Sequence, residues 1–135
     1  MLSATEMTNI QSCLFCNLDD GRVMIANDNT LAIRDGFPVS LGHTLIVPRR
    51  HIASFFEATR EEQMSMFDLL AKMRQRIQAD LNPDGFNIGI NDGTAAGQTV
   101  MHLHIHLIPR YNGDMRDPRG GVRWIFPDKA AYWDK

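Results

Sequence analysis

Residues 101–108 read Met-His-Leu-His-Ile-His-Leu-Ile, an alternation of histidine with large apolar residues. Alternation of this kind is the pattern of a β-strand, because successive side chains of a strand point to opposite faces of the sheet. The pattern predicts a strand over Met101–Ile108 that ends at Pro109. Its three histidines, His102, His104 and His106, then project from one face, and the residues between them pack into a core.

Four further strands are predicted from short apolar runs that are bounded by turn residues. They cover Arg22–Ala26, Thr30–Arg34, Thr44–Val47 and Phe86–Asn91.

One long helix is predicted between the third and fourth strands. Thr59 followed by Glu62 has the spacing of a capping box, which begins a helix. An apolar stripe at helical spacing follows, made of Met66, Leu70, Met73, Ile77 and Leu81. The sequence therefore predicts an α+β fold, with a five-stranded, mainly antiparallel sheet and one long helix.

The length of 135 residues predicts a single domain, with a core at about 13–111 and a docked tail at 112–135. A net charge of −2 disfavours a protein that binds duplex nucleic acid. We identify no secretory signal and no apolar stretch of the roughly 20 residues that a membrane span needs. We therefore expect a cytoplasmic protein with no membrane partner.

Two sequence features suggest ligand sites. Cys13 and Cys16 are spaced as a metal-binding or redox pair. The glycine-rich loop Asn91–Thr99 leads into the histidine strand, and such a loop lets backbone N–H groups approach a phosphate. Beside three histidines, it suggests a phosphate held against a nucleophilic imidazole. Two histidines at i and i+2 can also chelate one zinc ion, but the third cannot easily join them.

Three segments together resemble the histidine triad (HIT) family of nucleotide hydrolases and transferases. They are residues 42–52, the loop 91–98 and the run 102–108, and the resemblance covers about 13–111. It implies a HIT-like fold, usually dimeric, in agreement with the elements predicted above. It also implies hydrolysis at the α-phosphate of purine nucleoside phosphoramidates or dinucleoside polyphosphates, with release of a nucleoside monophosphate. A nucleotide-binding regulator or scaffold with incidental hydrolysis is the alternative.

The resemblance implies a role for each histidine of the predicted catalytic set. His104 matches the nucleophile that carries a covalent nucleotidyl group. His106 matches the residue beside the phosphate and the leaving group, where an imidazolium stabilises charge or delivers a proton; the uridylyltransferase branch has glutamine here, so His106 indicates a hydrolase. His102 and His43 complete the set, and His43 can equally be a buried support.

The resemblance also implies the nucleotide contacts. Asp35 matches the acidic residue that binds the ribose, although turn formation at Asp35-Gly36 explains it equally well. The matched phosphate contacts are Asn91, Gln98 and Thr99. The apolar residues Phe15, Leu31 and Ile33 either wall the base or belong to the core.

One structural zinc ion per chain is implied, held by Cys13, Cys16, His51 and His102. Two thiolates and two imidazoles form a closed tetrahedral site, with no position left for a substrate.

The tail departs from the compact members of the family and is similar to that of many bacterial dinucleoside polyphosphate hydrolases. It is rich in aromatic residues, namely Trp124, Phe126, Tyr132 and Trp133. We expect it to dock on a second copy in a homodimer, where Arg123 contacts a second phosphate or nucleoside.

Overall fold

A five-stranded antiparallel sheet organises the chain, of which the computed structural model describes residues 1–134. The strand order is β1-β2-β3-β5-β4, so β1 and β4 are the edges. The strands are β1 (Val23–Ala26), β2 (Thr30–Arg34), β3 (Thr44–Pro48), β4 (Gly85–Gly89) and β5 (Ile105–Arg110). The helices are α1 (Ala4–Ser12), α2 (Arg60–Leu81) and α3 (Pro127–Ala130).

Strand β5 begins three residues after His102, so the prediction of one strand through all three histidines was wrong. Ladder pairing with β3 stops at Ile46 and Ile105. Toward its end β3 reaches Pro48, which has no N–H to donate, and Leu103 donates to the carbonyl of Ile52 instead, at 2.6 Å. The backbone before Ile105 therefore leaves the sheet.

The predicted end of β5 at Pro109 was also wrong, because the strand continues to Arg110. The carbonyl of Pro109 accepts a hydrogen bond from Ser40 Oγ at 2.7 Å, where β3 no longer pairs with β5. Pro109 is tolerated within β5 because β3 does not pair with this residue and requires no N–H from it.

Helix α2 begins where the sequence predicts. The Thr59 side chain accepts from Glu62 N at 3.1 Å, and the Glu62 carboxylate accepts from Thr59 N at 2.9 Å. The fully buried apolar residues are Met66, Leu69, Met73 and Ile77, whereas the predicted Leu70 and Leu81 are only partly buried. The fully buried stripe of α2 thus includes Leu69, which was not predicted, and excludes Leu70 and Leu81.

The two faces of the sheet have different partners. Ala32, Ile46 and Ile105 meet α2 in the larger core. Ile33 and Leu45 lie on the opposite face, where Leu45 is directly paired with His106. That second face carries the histidines.

Two terminal segments complete the chain. Sequence reasoning missed α1, although Ser3 and Glu6 form a complete capping box at its start. The tail folds into short helical turns around Ala130, which is fully buried. Phe126 and Tyr132 remain 65% and 58% exposed. The tail therefore keeps an apolar surface.

Candidate active site

A cavity of about 630 Å³ opens on the sheet face opposite α2. His104 and His106 lie on its wall, together with Asp35, Asn91 and Thr99. The structure thus brings together five residues that the sequence singled out. His102 does not line this cavity, so its position does not support a direct catalytic role.

The ring of His104 is oriented by the main chain. Its Nδ1 lies 2.8 Å from the carbonyl oxygen of His102. A carbonyl only accepts, so Nδ1 carries the proton and Nε2 holds the lone pair. His104 therefore offers an unprotonated nitrogen as a nucleophile.

His106 is linked to His43 in a hydrogen-bonded chain. The backbone N–H of Val39 donates to His43 Nδ1 at 3.2 Å, which leaves the proton of neutral His43 on Nε2. His43 Nε2 lies 2.9 Å from His106 Nδ1 and donates to it. The remaining proton of His106 is then on Nε2. His43 is 3% exposed, and this bond fixes the orientation of the His106 ring.

Burial keeps both of these histidines neutral. It lowers the pKa of His106 to about 4, assisted by repulsion from His104 and His43 and opposed by Asp35. Burial also lowers the pKa of His43, and the Asp35 carboxylate opposes that shift. The imidazolium expected from the sequence at His106 is therefore not the resting form of this residue.

Asp35 forms the turn that the sequence allowed and also lines the cavity. Its Oδ1 accepts from the backbone N–H of Phe37 at 2.8 Å, which is turn chemistry. Its Oδ2 lies 3.4 Å from His43 Nε2, and the residue lines the cavity. One carboxylate oxygen fixes the turn while the other remains near the histidines.

The glycine-rich loop contributes unequally to the cavity. Asn91 and Thr99 line it. Gln98 is 5% exposed, donates to the carbonyls of Ala53 and Val100 at 2.9 and 3.1 Å, and accepts from Gly93 N at 2.8 Å. The geometry does not support the predicted phosphate contact by Gln98, because these bonds use its side-chain amide to hold the loop together and to anchor it to Ala53.

An apolar wall faces the histidines. Of the three residues predicted to wall the base, Phe15 lines the cavity, whereas Leu31 and Ile33 belong to the core behind it. Leu18 and Phe37 also line the cavity, and sequence reasoning missed both. Phe37 is 89% exposed in the loop between Asp35 and His43, and a large apolar residue in such a loop was the available signal.

A second cavity, of about 850 Å³, lies on the other side of His106. It shares Asn91 and His106 with the first. Its apolar lining comes from the tail, β4 and the loop before β3, through Val39, Leu41, Ile88, Val122, Trp124 and Ile125. Arg110 is the only arginine or lysine among the described lining residues, and Asp114 and Asn87 bind it at 2.7–2.8 Å.

Four side chains form a cluster of potential metal ligands, here called the donor cluster, at the edge of the first cavity, which Cys13 also lines. The ligand atoms of Cys13, Cys16, His51 and His102 all lie within 4.8 Å of one another. Cys16 Sγ is 3.2 Å from His51 Nδ1, and the Nδ1 atoms of His51 and His102 are 3.3 Å apart. In a tetrahedral zinc site with these ligand types, the donors are about 3.3–3.8 Å apart. The distances fit that ion.

The protonation of the cluster also fits a zinc ion. His102 Nε2 lies 2.7 Å from the carbonyl oxygen of Pro48 and donates to it, which leaves the Nδ1 lone pair facing the thiols. Burial lowers the pKa of His102, so this lone pair stays available. Burial and Cys13 raise the pKa of the Cys16 thiol to about 12, so a thiolate there requires a compensating cation.

The family model described as HIT domain matches residues 18–113. The chain belongs to the HIT family. This HIT protein is 37% identical over 116 residues to a 16.1 kDa HIT-like protein from Mycoplasma pneumoniae, with coverage of 82% of this chain and 79% of the relative. The predicted family and the predicted five-stranded antiparallel fold are confirmed.

Two further comparisons concern metal and activity. A Zn-bound histidine triad family protein from Mycobacterium smegmatis matches this HIT protein with a TM-score of 0.71 and 36% identity, covering 81% of this chain and 85% of that one. Adenylylsulfatase HINT3 from Arabidopsis thaliana is 33% identical over 114 residues, which are 81% of this chain and 58% of the plant protein. The HIT protein is thus related to a nucleotide hydrolase. Within residues 1–134, no helix combines the length and apolarity needed to cross a membrane.

Proposed function

We propose that this HIT protein hydrolyses a purine nucleotide at its α-phosphate through a covalent nucleotidyl group on His104. The observation that carries the proposal is the bond from His104 Nδ1 to the carbonyl of His102, which leaves the Nε2 lone pair free on a cavity wall. Neutral imidazole is a competent nucleophile near neutral pH. The plant relative, named as an adenylylsulfatase, supports an adenylyl compound as substrate.

The first step forms a bond from His104 Nε2 to the α-phosphorus and breaks the bond to the leaving group. A phosphate anion beside His106 favours its protonated form, against the burial that keeps it neutral in the free protein. His106 then gives its Nε2 proton to the leaving group and returns to the neutral state.

The second step reverses these roles. Water attacks the phosphorus, its proton passes to His106, and the bond to His104 breaks to release a nucleoside monophosphate. Asn91 and Thr99 offer polar groups to the phosphate, Asp35 offers a carboxylate oxygen to the ribose, and Phe15 packs against the base.

The second cavity supports a phosphoramidate with an apolar amine as substrate, rather than a dinucleoside polyphosphate. It begins at His106, where the leaving group departs, and the only arginine among its described lining residues, Arg110, is already paired with Asp114. Arg123, expected to bind a second phosphate, donates instead to the carbonyls of Lys129 and Ala130, and its guanidinium lies 4.8 Å from the Tyr132 ring centroid. A second nucleotide would meet few available cations there.

A structural zinc ion held by Cys13, Cys16, His51 and His102 is part of the proposal. When bound, zinc supplies a tetrahedral cross-link and no open coordination position. The donor set and the Zn-bound mycobacterial relative support this assignment. The ion is expected to remain bound through purification.

We also propose a homodimer. Strand β4 is a sheet edge on which Ile88 is 52% exposed, and nearby tail residues such as Ile125 are 74% exposed. Unpaired edges and contiguous apolar surface favour association with another chain.

The test of the hydrolase compares wild-type protein with His104→Ala on adenosine phosphoramidate and on a diadenosine polyphosphate. A loss of about a thousandfold in kcat/KM is expected for the variant, with unchanged circular dichroism. Mass spectrometry of the quenched wild-type reaction should show one nucleotidyl group on His104. Full activity of the variant would exclude this mechanism. A wild-type kcat/KM far below about 10⁴ M⁻¹s⁻¹ on every nucleotide would indicate a binding protein instead.

A further inference from the structure

One wall of the first cavity comes from a single short segment near the N-terminus. Residues 11–15 and 17–19 line it, opposite the histidines. This segment contains the last two residues of α1 and the turn that follows them, and it precedes β1, so it belongs to neither the sheet nor the long helix. Its position depends on how it is attached to the rest of the protein.

The hydrogen bonds of this segment are local. Asn17 Nδ2 donates to the carbonyls of Ile10, Gln11 and Cys13 at 2.8–3.1 Å. These bonds close the turn on itself and tie it to the end of α1. They do not reach the sheet.

The donor cluster is the polar attachment of the segment to the protein body. Cys13 Sγ lies 3.4 Å from His102 Nδ1, and Cys16 Sγ lies 3.2 Å from His51 Nδ1. Cys16 Sγ also lies 3.5 Å from His102 Nδ1. Apart from these contacts within the cluster, no hydrogen bond among the described residues joins residues 1–19 to any residue beyond Arg22. The remaining attachment is apolar packing of Phe15 and Leu18 on the core.

Phe15 stands between the two cysteines and reaches the nucleophile. Its ring meets that of His104 edge-on, with centroids 5.2 Å apart and planes at 66°. It also meets His102 at 5.8 Å and 89°. The two cysteines therefore hold both ends of the turn that places an aromatic ring against His104.

We propose that the cysteine and histidine cluster, by fastening the segment 11–19, determines how tightly the cavity binds a nucleoside while leaving the chemistry at His104 unchanged. The inference rests on the proposed function. A thiol is a weak hydrogen-bond donor, so Cys13 and Cys16 secure the turn only as ligands of a metal. His104 is oriented by a backbone carbonyl instead, which metal removal leaves in the chain. Loss of the metal should therefore raise KM and leave kcat within about twofold.

The experiment compares zinc-loaded protein with the same protein after chelation under reducing conditions. The probes are AMP, which contacts the whole cavity, and inorganic phosphate, which needs only the histidine side. Calorimetry should show AMP binding weakened about tenfold or more by chelation, and phosphate binding changed less than about threefold. Hydrogen exchange should accelerate in residues 10–19, with Ile46 in β3 as the internal control for an intact sheet.

The outcomes separate the two proposals. Equal AMP affinity of the loaded and metal-free forms would overturn the inference alone. Failure of the loaded protein to bind AMP would overturn the proposed function and the inference with it. If chelation also accelerates exchange at Ile46, zinc-loaded Phe15→Ala provides the test. It should weaken AMP binding about fivefold or more relative to the exposed control Met7→Ala, and an unchanged affinity would overturn the inference.

Discussion

Replacement of His106 by glutamine should make the protein less sensitive to acid. His106 has a pKa of about 4 in the folded protein, because burial and two neighbouring histidines oppose its charge. In the unfolded chain its pKa is near the ordinary value of about 6.5. Between these values the unfolded chain binds more protons than the folded protein, so acid favours unfolding. This penalty is absent above about pH 6.5, grows as the pH falls, and is fully developed below about pH 4.

The size of the effect follows from the two pKa values. Going from about pH 7.5 to about pH 5 should cost the wild-type protein up to about 2 kcal/mol of unfolding free energy through His106. We expect about 1–2 kcal/mol, because His106 is only partly buried and solvent screens part of its interactions. The variant lacks this loss, because glutamine carries no ionisable group. The pKa of His43 is set by burial and by Asp35, so the substitution leaves its main causes in place.

Urea unfolding followed by circular dichroism measures the difference. The free energy of unfolding is determined for both proteins at the two pH values, with zinc content checked at each pH, since acid also protonates metal ligands. The wild-type protein should lose more stability than His106→Gln between the two conditions. If both lose the same amount, the His106 ring is not held in the neutral state by its surroundings.

Two further predictions concern packing and assembly. Gly42→Ala should lower the free energy of unfolding in urea by about 2–3 kcal/mol, because Gly42 has a φ of +89° and a Cβ there would lie 2.6 Å from Leu81 Cδ1. The control is Gly21→Ala, where a Cβ meets nothing within 4 Å, and it should change the free energy of unfolding by less than about 1 kcal/mol. Ile88→Lys should convert the proposed dimer into a monomer, because it places a charge at the exposed β4 edge. Light scattering at micromolar concentration measures the oligomeric state, and a monomeric wild-type protein or a dimeric variant would contradict an interface at that edge.

Local patterns predicted the fold well where the interaction itself is local. The capping box of Thr59 and Glu62 closes within about one helical turn, so four residues of sequence suffice to find it. Strand alternation was informative for the same reason. The start of β5 depends instead on the partner strand, because Pro48 lies more than fifty residues away in sequence and supplies no N–H.

The candidate site was predictable as a set of residues and not as a network. Residue types and a family resemblance placed His104, Asp35 and Thr99 together, and all three line the cavity. Hydrogen bonds made by the backbone do not depend on residue type. The sequence therefore did not reveal that the Val39 N–H donates to His43 Nδ1 and so places the proton of His43 on Nε2. Gln98 is the opposite case. Its residue type suggests a hydrogen-bond donor to a phosphate, but in the structure its side-chain amide binds the backbone of Gly93 and Ala53.

The carbonyl of His102 has a consequence for how this site can change by mutation. The side chain of His102 belongs to the donor cluster, whereas its main-chain oxygen orients the ring of His104. Substitution at position 102 alters the ring and keeps the oxygen, since every amino acid carries a backbone carbonyl. Substitutions that remove the cysteine and histidine ligands can therefore leave in place the hydrogen bond that keeps the proton of His104 on Nδ1. Metal binding and the orientation of His104 can therefore change independently during evolution, although His102 contributes to both.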